Sequence, residues 1–161
     1  MEINYKISKT KKLSISAIVI ALYVVIMTFT QSFAFGSIQV RIATCIYALA
    51  YLFPFLVLPL GLSNLLSNMI MGGLGFFDIF GGGFVGVLTS LLVYSVRKYN
   101  LNIFLIAIPI ILIPGLIVPI WLSALLNIPY APLATSLCIG QVIPGIFGAY
   151  IVKILKPKIG A

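Results

Sequence analysis

Histidine is absent from this chain, only two of its 161 residues are acidic, and charged residues together make up 7%. Without an imidazole there is no Ser–His or Cys–His nucleophile and no histidine-based metal site. The two acidic residues, Glu2 and Asp78, are far apart in sequence, so paired-carboxylate acid–base chemistry lacks its second member. Cysteine is equally sparse. Cys45 and Cys138 each sit in an apolar run with no C-x-x-C spacing, which reads as two buried small hydrophobes rather than thiolate ligands. The glycine run Gly81-Gly82-Gly83 with Gly86 has no Lys-Ser/Thr ending and no preceding strand, so it is not a phosphate-binding loop. Close helix packing is its expected role. No catalytic residue, no metal and no cofactor is expected, and any ATP-driven step needs other subunits.

What is present is apolar. Hydrophobic residues account for 62% of the chain and mean hydropathy is +1.25, too little polar surface to coat a soluble globule. A helix needs about 20 apolar residues to cross a bilayer core. Turn signals at Phe35-Gly36-Ser37, Phe53-Pro54 to Pro59, Gly72-Gly73-Leu74-Gly75, Arg97 to Asn102 and Asn127 to Pro132 divide the chain. They predict spans at about 13–34, 40–56, 59–72, 80–97, 102–122 and 134–154. The expected fold class is all-α: a polytopic membrane protein, a single domain over residues 1–161 built as a bundle of six transmembrane helices. The third segment is short and carries Asn64, Ser67 and Asn68. No internal repeat is visible.

The net charge of +8 is confined to the lysines of the first dozen residues, to Arg97-Lys98, and to Lys153, Lys156 and Lys158, with Arg41 standing alone. Such a distribution encodes topology rather than nucleic-acid binding. With six crossings and a cytoplasmic amino terminus, every basic cluster falls on one side. A multi-pass protein of the cell membrane with both termini cytoplasmic is therefore expected, with the lysines also drawing anionic lipid. Ser32-Phe33-Ala34 has the small-residue pattern of a signal-peptidase site. The long apolar run before it and the membrane-like sequence after it favour an uncleaved first span.

Ionisable groups within spans usually mark a site or pathway. Arg41 opens the second predicted span and Asp78 lies just before the fourth, so both fall near the outer face. The carboxylate can accept paired N–H donors from a guanine-like ring, an amidine or an amine, while the guanidinium offers a planar fork to a carbonyl or anion. The bland alternative is that the two pair with each other or reach interfacial water. Asn64 and Asn68 share one helix face. They serve either as interhelical hydrogen-bonding groups or, for Asn68, as a ligand contact. Gln39, Thr44, Gln141, Trp121 and Tyr130 are further outer-side candidates for substrate binding, with an aromatic belt as the alternative for the last two. Ala17 and Ala21 form a flat strip on the first helix where another helix can approach closely.

The phrases Ala17-Ile-Val-Ile-Ala21-Leu-Tyr23, Phe35-Gly-Ser-Ile-Gln39-Val-Arg41-Ile, and Asn68 followed by Leu74-Gly-Phe-Phe-Asp78-Ile-Phe-Gly81 resemble the QueT family of substrate-binding (S) components from energy-coupling factor (ECF) transporters. The resemblance implies a subunit that captures a scarce small molecule outside the cell and docks through the Ala17/Ala21 face onto the transmembrane coupling protein EcfT. Two cytoplasmic ECF ATPases would complete the complex and use the ATP. The implied ligand is a queuosine precursor, a deazaguanine-type small molecule, and the implied mechanism has the binding subunit topple in the membrane.

This chain departs from the family pattern after Arg41, where Ala43-Thr44-Cys45 stands in place of a small residue followed by Glu and Ala. An Asn of the fifth span is replaced around Pro114, and an acidic residue of the sixth is Gln141. Loss of carboxylates removes partners for a cationic aminomethyl group and shifts the expected ligand toward a neutral or bulkier relative such as queuine. The competing readings are an S component for another vitamin-like molecule, a stand-alone carrier or channel, and a membrane enzyme. The almost wholly apolar inner halves argue against the carrier, and the missing acid–base groups against the enzyme.

Overall fold

The computed structural model describes residues 7–34, 39–71 and 74–159, and among these every regular element is helical. The turns expected at Phe35–Ser37 and Gly72–Gly73 lie outside the described residues. The first helix, α1 (Lys9–Phe29), starts at Ser8, whose hydroxyl accepts from the Lys11 amide at 3.3 Å. It is followed by the single turn α2 (Gln31–Ala34). The predicted second span, 40–56, is shorter and tighter than expected: a 3-10 helix, Ile42–Ala48, runs into one turn of α-helix, α3 (Leu49–Leu52). From Ala43 to Ala48 every side chain is buried. A 3-10 run of seven residues is unusual. The Thr44 hydroxyl, bonded to the Arg41 carbonyl at 2.7 Å, supports its first turn. At about 2.0 Å per 3-10 residue and about 1.5 Å per α residue, Ile42–Leu52 covers roughly 20 Å, short of a hydrocarbon core.

Phe53-Pro54 breaks the chain, and a 3-10 turn at Pro54–Leu56 leads into α4 (Val57–Ile70). The carbonyls left open at the end of α3 are taken by Arg97, whose Nη1 donates to Tyr51 at 3.1 Å and Leu52 at 2.8 Å. One residue of the Arg97-Lys98 cluster thus fixes the end of the shortest segment as well as marking a membrane face.

The remaining helices are longer. α5 (Phe76–Lys98), α6 (Ala107–Leu126, preceded by a 3-10 turn at Ile103–Ile106) and α7 (Tyr130–Ile159) join α1 as four apolar helices of membrane-crossing length. Six full-length spans are therefore not what the described residues form: four helices reach that length, and the second and third segments are shorter. The α7 helix begins inside the turn expected at Asn127–Pro132. Asn127 takes a left-handed φ of 54° and ends α6. Pro132 falls in the first turn of α7, where its missing N–H costs no helical bond.

Glycine brings α4 and α5 into close contact. A Cβ on Gly61 of α4 would lie 2.9 Å from the Gly83 carbonyl, and one on Gly86 would lie 3.0 Å from the Gly61 Cα. The two backbones meet there, the packing role expected for the run. The larger apolar core surrounds Tyr23, Met27, Tyr47, Leu56 and Leu60. A smaller cluster of Val85, Val118, Leu122, Leu133 and Leu137 lies between α5, α6 and α7.

Candidate functional site

The start of α5 builds the first half of the site. Gly75, at φ 99°, turns the chain into the helix, which begins at Phe76 rather than near residue 80. Asp78 therefore sits within the first helical turn instead of before it, a favourable position for a carboxylate at the positive end of the helix. It reaches back so that Oδ2 accepts from the amide of Leu74, the residue before the Gly75 cap, at 3.2 Å. Oδ1 accepts from the Trp121 indole N–H at 3.3 Å. The carboxylate side chain is 2% exposed.

Asn68 arrives from the end of α4 and donates to the Asp78 carbonyl at 2.9 Å. One turn below, Asn64 donates to the Gly82 carbonyl and to the Tyr47 hydroxyl, both at 2.8 Å. The Tyr47 hydroxyl also meets that of Tyr23 at 3.1 Å, and the two rings stack. Gly82 leaves room for this ladder, because a Cβ there would collide with the Asn68 amide nitrogen. Gly81 does the same for the Trp121 ring.

The segment 39–44 and α7 supply the second half. Gln39, Arg41, Thr44 and Gln141 are all buried. The Thr44 hydroxyl lies 2.6 Å from Gln141 Oε1, joining the second segment to the middle of α7. Gly140 lets the Gln39 backbone lie directly on α7. The 3-10 helix Ile42–Ala48 carries both Thr44 and Tyr47, which ties this half to the first.

Several amide groups are only half used. Gln39 Oε1, Asn64 Oδ1, Asn68 Oδ1 and Gln141 Nε2 are buried with no hydrogen-bond partner among the described residues. Unmet buried polar atoms are costly, about 1–3 kcal/mol each, and persist where a function uses them. Three of these atoms are carbonyl-type acceptors and one is an amide donor.

Of the candidates read from sequence, Gln39, Arg41, Thr44, Asn68, Asp78 and Gln141 are buried polar groups, and Trp121 reaches them through Asp78. Tyr130 differs. It is 43% exposed and its hydroxyl donates to the Leu116 carbonyl at 2.8 Å, a belt-like position on the rim. Ala17 and Ala21 lie on the exposed face of α1 together with Ile18, Leu22 and Val25. Asn64 and Asn68 make the interhelical hydrogen bonds expected of that pair, and the Oδ1 of each has no partner among the described residues. Tyr23 and Tyr47 were not among the candidates. Their signal was position: a phenol in the middle of an apolar run, away from any interfacial belt, needs a polar partner.

Replacing Thr44 with Val keeps the volume but removes the hydroxyl whose single proton lies between the Arg41 carbonyl and Gln141 Oε1, leaving a buried primary amide with neither end met. The expected cost is about 1–3 kcal/mol, read as a lowered thermal midpoint in detergent. An unchanged midpoint would mean that Gln141 finds another partner.

Apolar helices of crossing length, closed around a buried polar cluster that includes one carboxylate and one guanidinium, make this a membrane protein of the polytopic helical class. A family model described as QueT transporter matches residues 13–157. The chain belongs to that family of transporters, and a transport role in the membrane follows. No curated protein and no solved structure matches it.

Proposed function

We propose that this chain is the substrate-binding component of an ECF-type ATP-dependent uptake transporter, with both termini cytoplasmic, and that its outward-facing site captures a deazaguanine base. The observation that carries the reading is the set of unmet amide atoms around Asp78, Asn68, Gln39 and Gln141. A flat heterocycle with adjacent N–H donors on one edge and a carbonyl on another matches three acceptors, a carboxylate and a guanidinium. Asp78 is the only acidic residue among those described. One carboxylate serves the guanine-like edge and leaves no second for an aminomethyl cation, which favours queuine over the aminomethyl precursor.

The decisive measurement is calorimetric titration of the purified chain with queuine, with the aminomethyl precursor, and with an unrelated vitamin. Submicromolar binding of queuine and weaker binding of the precursor is the expected result. Binding of the vitamin alone would replace the ligand assignment. Uptake into vesicles without any ATPase would replace the ECF assignment with a stand-alone carrier.

The exposed strip at Ala17 and Ala21 is the proposed contact with the coupling protein EcfT and, through it, with the two ECF ATPases. Trp at either position is expected to abolish co-purification with EcfT while leaving ligand affinity within about twofold, because neither side chain faces the polar cluster. Normal assembly of both variants would exclude this face.

A further inference from the structure

At the end of α5 opposite Asp78, an apolar groove of about 330 Å³ runs between the last turns of α5 and the first turns of α6. Leu92, Val96, Tyr99, Leu101, Leu105 and Leu112 line it. All but Val96 are substantially exposed, so the groove opens on the surroundings of the bundle and not on its core. In a bilayer those surroundings are hydrocarbon.

The polar end of the groove has one sign of charge. Lys98 places its ammonium 5.8 Å from the centroid of the Tyr99 ring, at the rim, and the side chain is otherwise exposed. Arg97, its neighbour, is committed to the carbonyls of Tyr51 and Leu52. The carbonyl end of α5 would oppose an anion, but the chain caps it. Asn100, at φ 52°, donates to the Arg97 carbonyl at 3.0 Å, and Leu101 donates to Val96 at 2.9 Å. This double closure satisfies the last carbonyls and packs Leu101 against Val96 along the groove wall. Beside it the 3-10 turn Ile103–Ile106 leads into α6, and its amide end is likewise capped, Phe104 donating to Asn102 Oδ1 at 3.0 Å, so Lys98 is the charge left at this rim. Asp78, the one acidic residue described, lies at the other end of α5.

We propose that this groove is a lipid site, in which one acyl chain of an anionic phospholipid lies between α5 and α6 and its phosphate rests on Lys98. The apolar walls select a chain, and the lysine selects the headgroup charge. The inference is independent of what the outer site binds.

Native mass spectrometry of the full chain, in detergent carrying equal amounts of phosphatidylglycerol and phosphatidylcholine of matched chains, tests it. Retained phosphatidylglycerol is expected to exceed phosphatidylcholine by about fivefold, the equivalent of one near-surface lysine. Lys98→Gln should bring the ratio close to one, and Leu105→Trp, which fills the groove, should lower retention of both lipids. Equal retention by the unaltered chain, or a preference that survives Lys98→Gln, would overturn the proposal. So would a dimer mass that disappears with Leu105→Trp, since a second copy would then occupy the groove. If Leu105→Trp does not fold, the exposed Lys98 still decides the question through the headgroup ratio.

Discussion

Asp78→Ala is expected to weaken capture of a deazaguanine base by about 100-fold or more. The carboxylate is 2% exposed, and a ligand meeting it would do so in a low-dielectric setting, where hydrogen bonds to a charged group are worth about 1.5–3 kcal/mol each. Two such bonds from adjacent N–H donors account for the factor. The same substitution also frees the Leu74 amide and the Trp121 indole, so part of any loss belongs to the loop and not to the ligand. Two further variants separate these contributions. Trp121→Phe keeps the carboxylate but removes one of its orienting donors, and a loss of only several-fold is expected. Asp78→Asn keeps the shape and one acceptor oxygen but not the charge, and should fall between the two. Titration calorimetry on all three reads the order directly. Full affinity in Asp78→Ala would move the site elsewhere.

Gly140→Ala is expected to be the most disruptive single-methyl change in the molecule. A Cβ at that position would overlap the Gln39 carbonyl oxygen and come within 2.7 Å of the Gln39 carbonyl carbon. Both are backbone atoms, which cannot swing aside as the end of a side chain can. Overpacking of this kind costs about 1–3 kcal/mol, and relief requires the 39–44 segment to lift off α7. That movement would break the 2.6 Å contact between Thr44 and Gln141 and displace Arg41 with it. A lowered thermal midpoint and a loss of ligand affinity should therefore appear together. Gly81→Ala is the natural comparison, because there the added methyl meets the Trp121 ring, at 2.9 Å. If Gly140→Ala were as mild as Gly81→Ala, the packing of Gln39 on α7 would not be what positions the site.

Composition and charge placement were enough to read a helical membrane protein with its polar residues gathered toward one end. The phrases at 17–23, 35–42 and 74–81, with Asn68, carried the resemblance that reached its family. The geometry of the second segment was not legible in the same way. Residues 40–56 are as apolar as a true span, and hydropathy does not separate an α-helix from a 3-10 run of small buried residues. The start of α5 was misplaced because the turn read at 72–75 was carried on to the glycine run, whereas the helix begins directly after Gly75, which takes a positive φ. Gly81, Gly82 and Gly83 lie in helix, clearing space for the side chains of Trp121, Asn68 and Leu65. Asn68 and Asp78 were visible as polar residues in an apolar setting, but the pairing of Thr44 with Gln141 joins positions nearly one hundred residues apart in the chain. No local pattern encodes such a contact. The Tyr47 hydroxyl meets the Tyr23 hydroxyl and the Asn64 amide, and an isolated tyrosine in an apolar run carries too little signal to place such partners.

The chain contains a single tryptophan, and its indole N–H bonds to the Asp78 carboxylate. All indole emission from this protein thus comes from one residue touching the charged group of the site. Occupancy there is open to optical titration with no added label, in detergent or in a bilayer, and Asp78→Asn supplies its own spectral control.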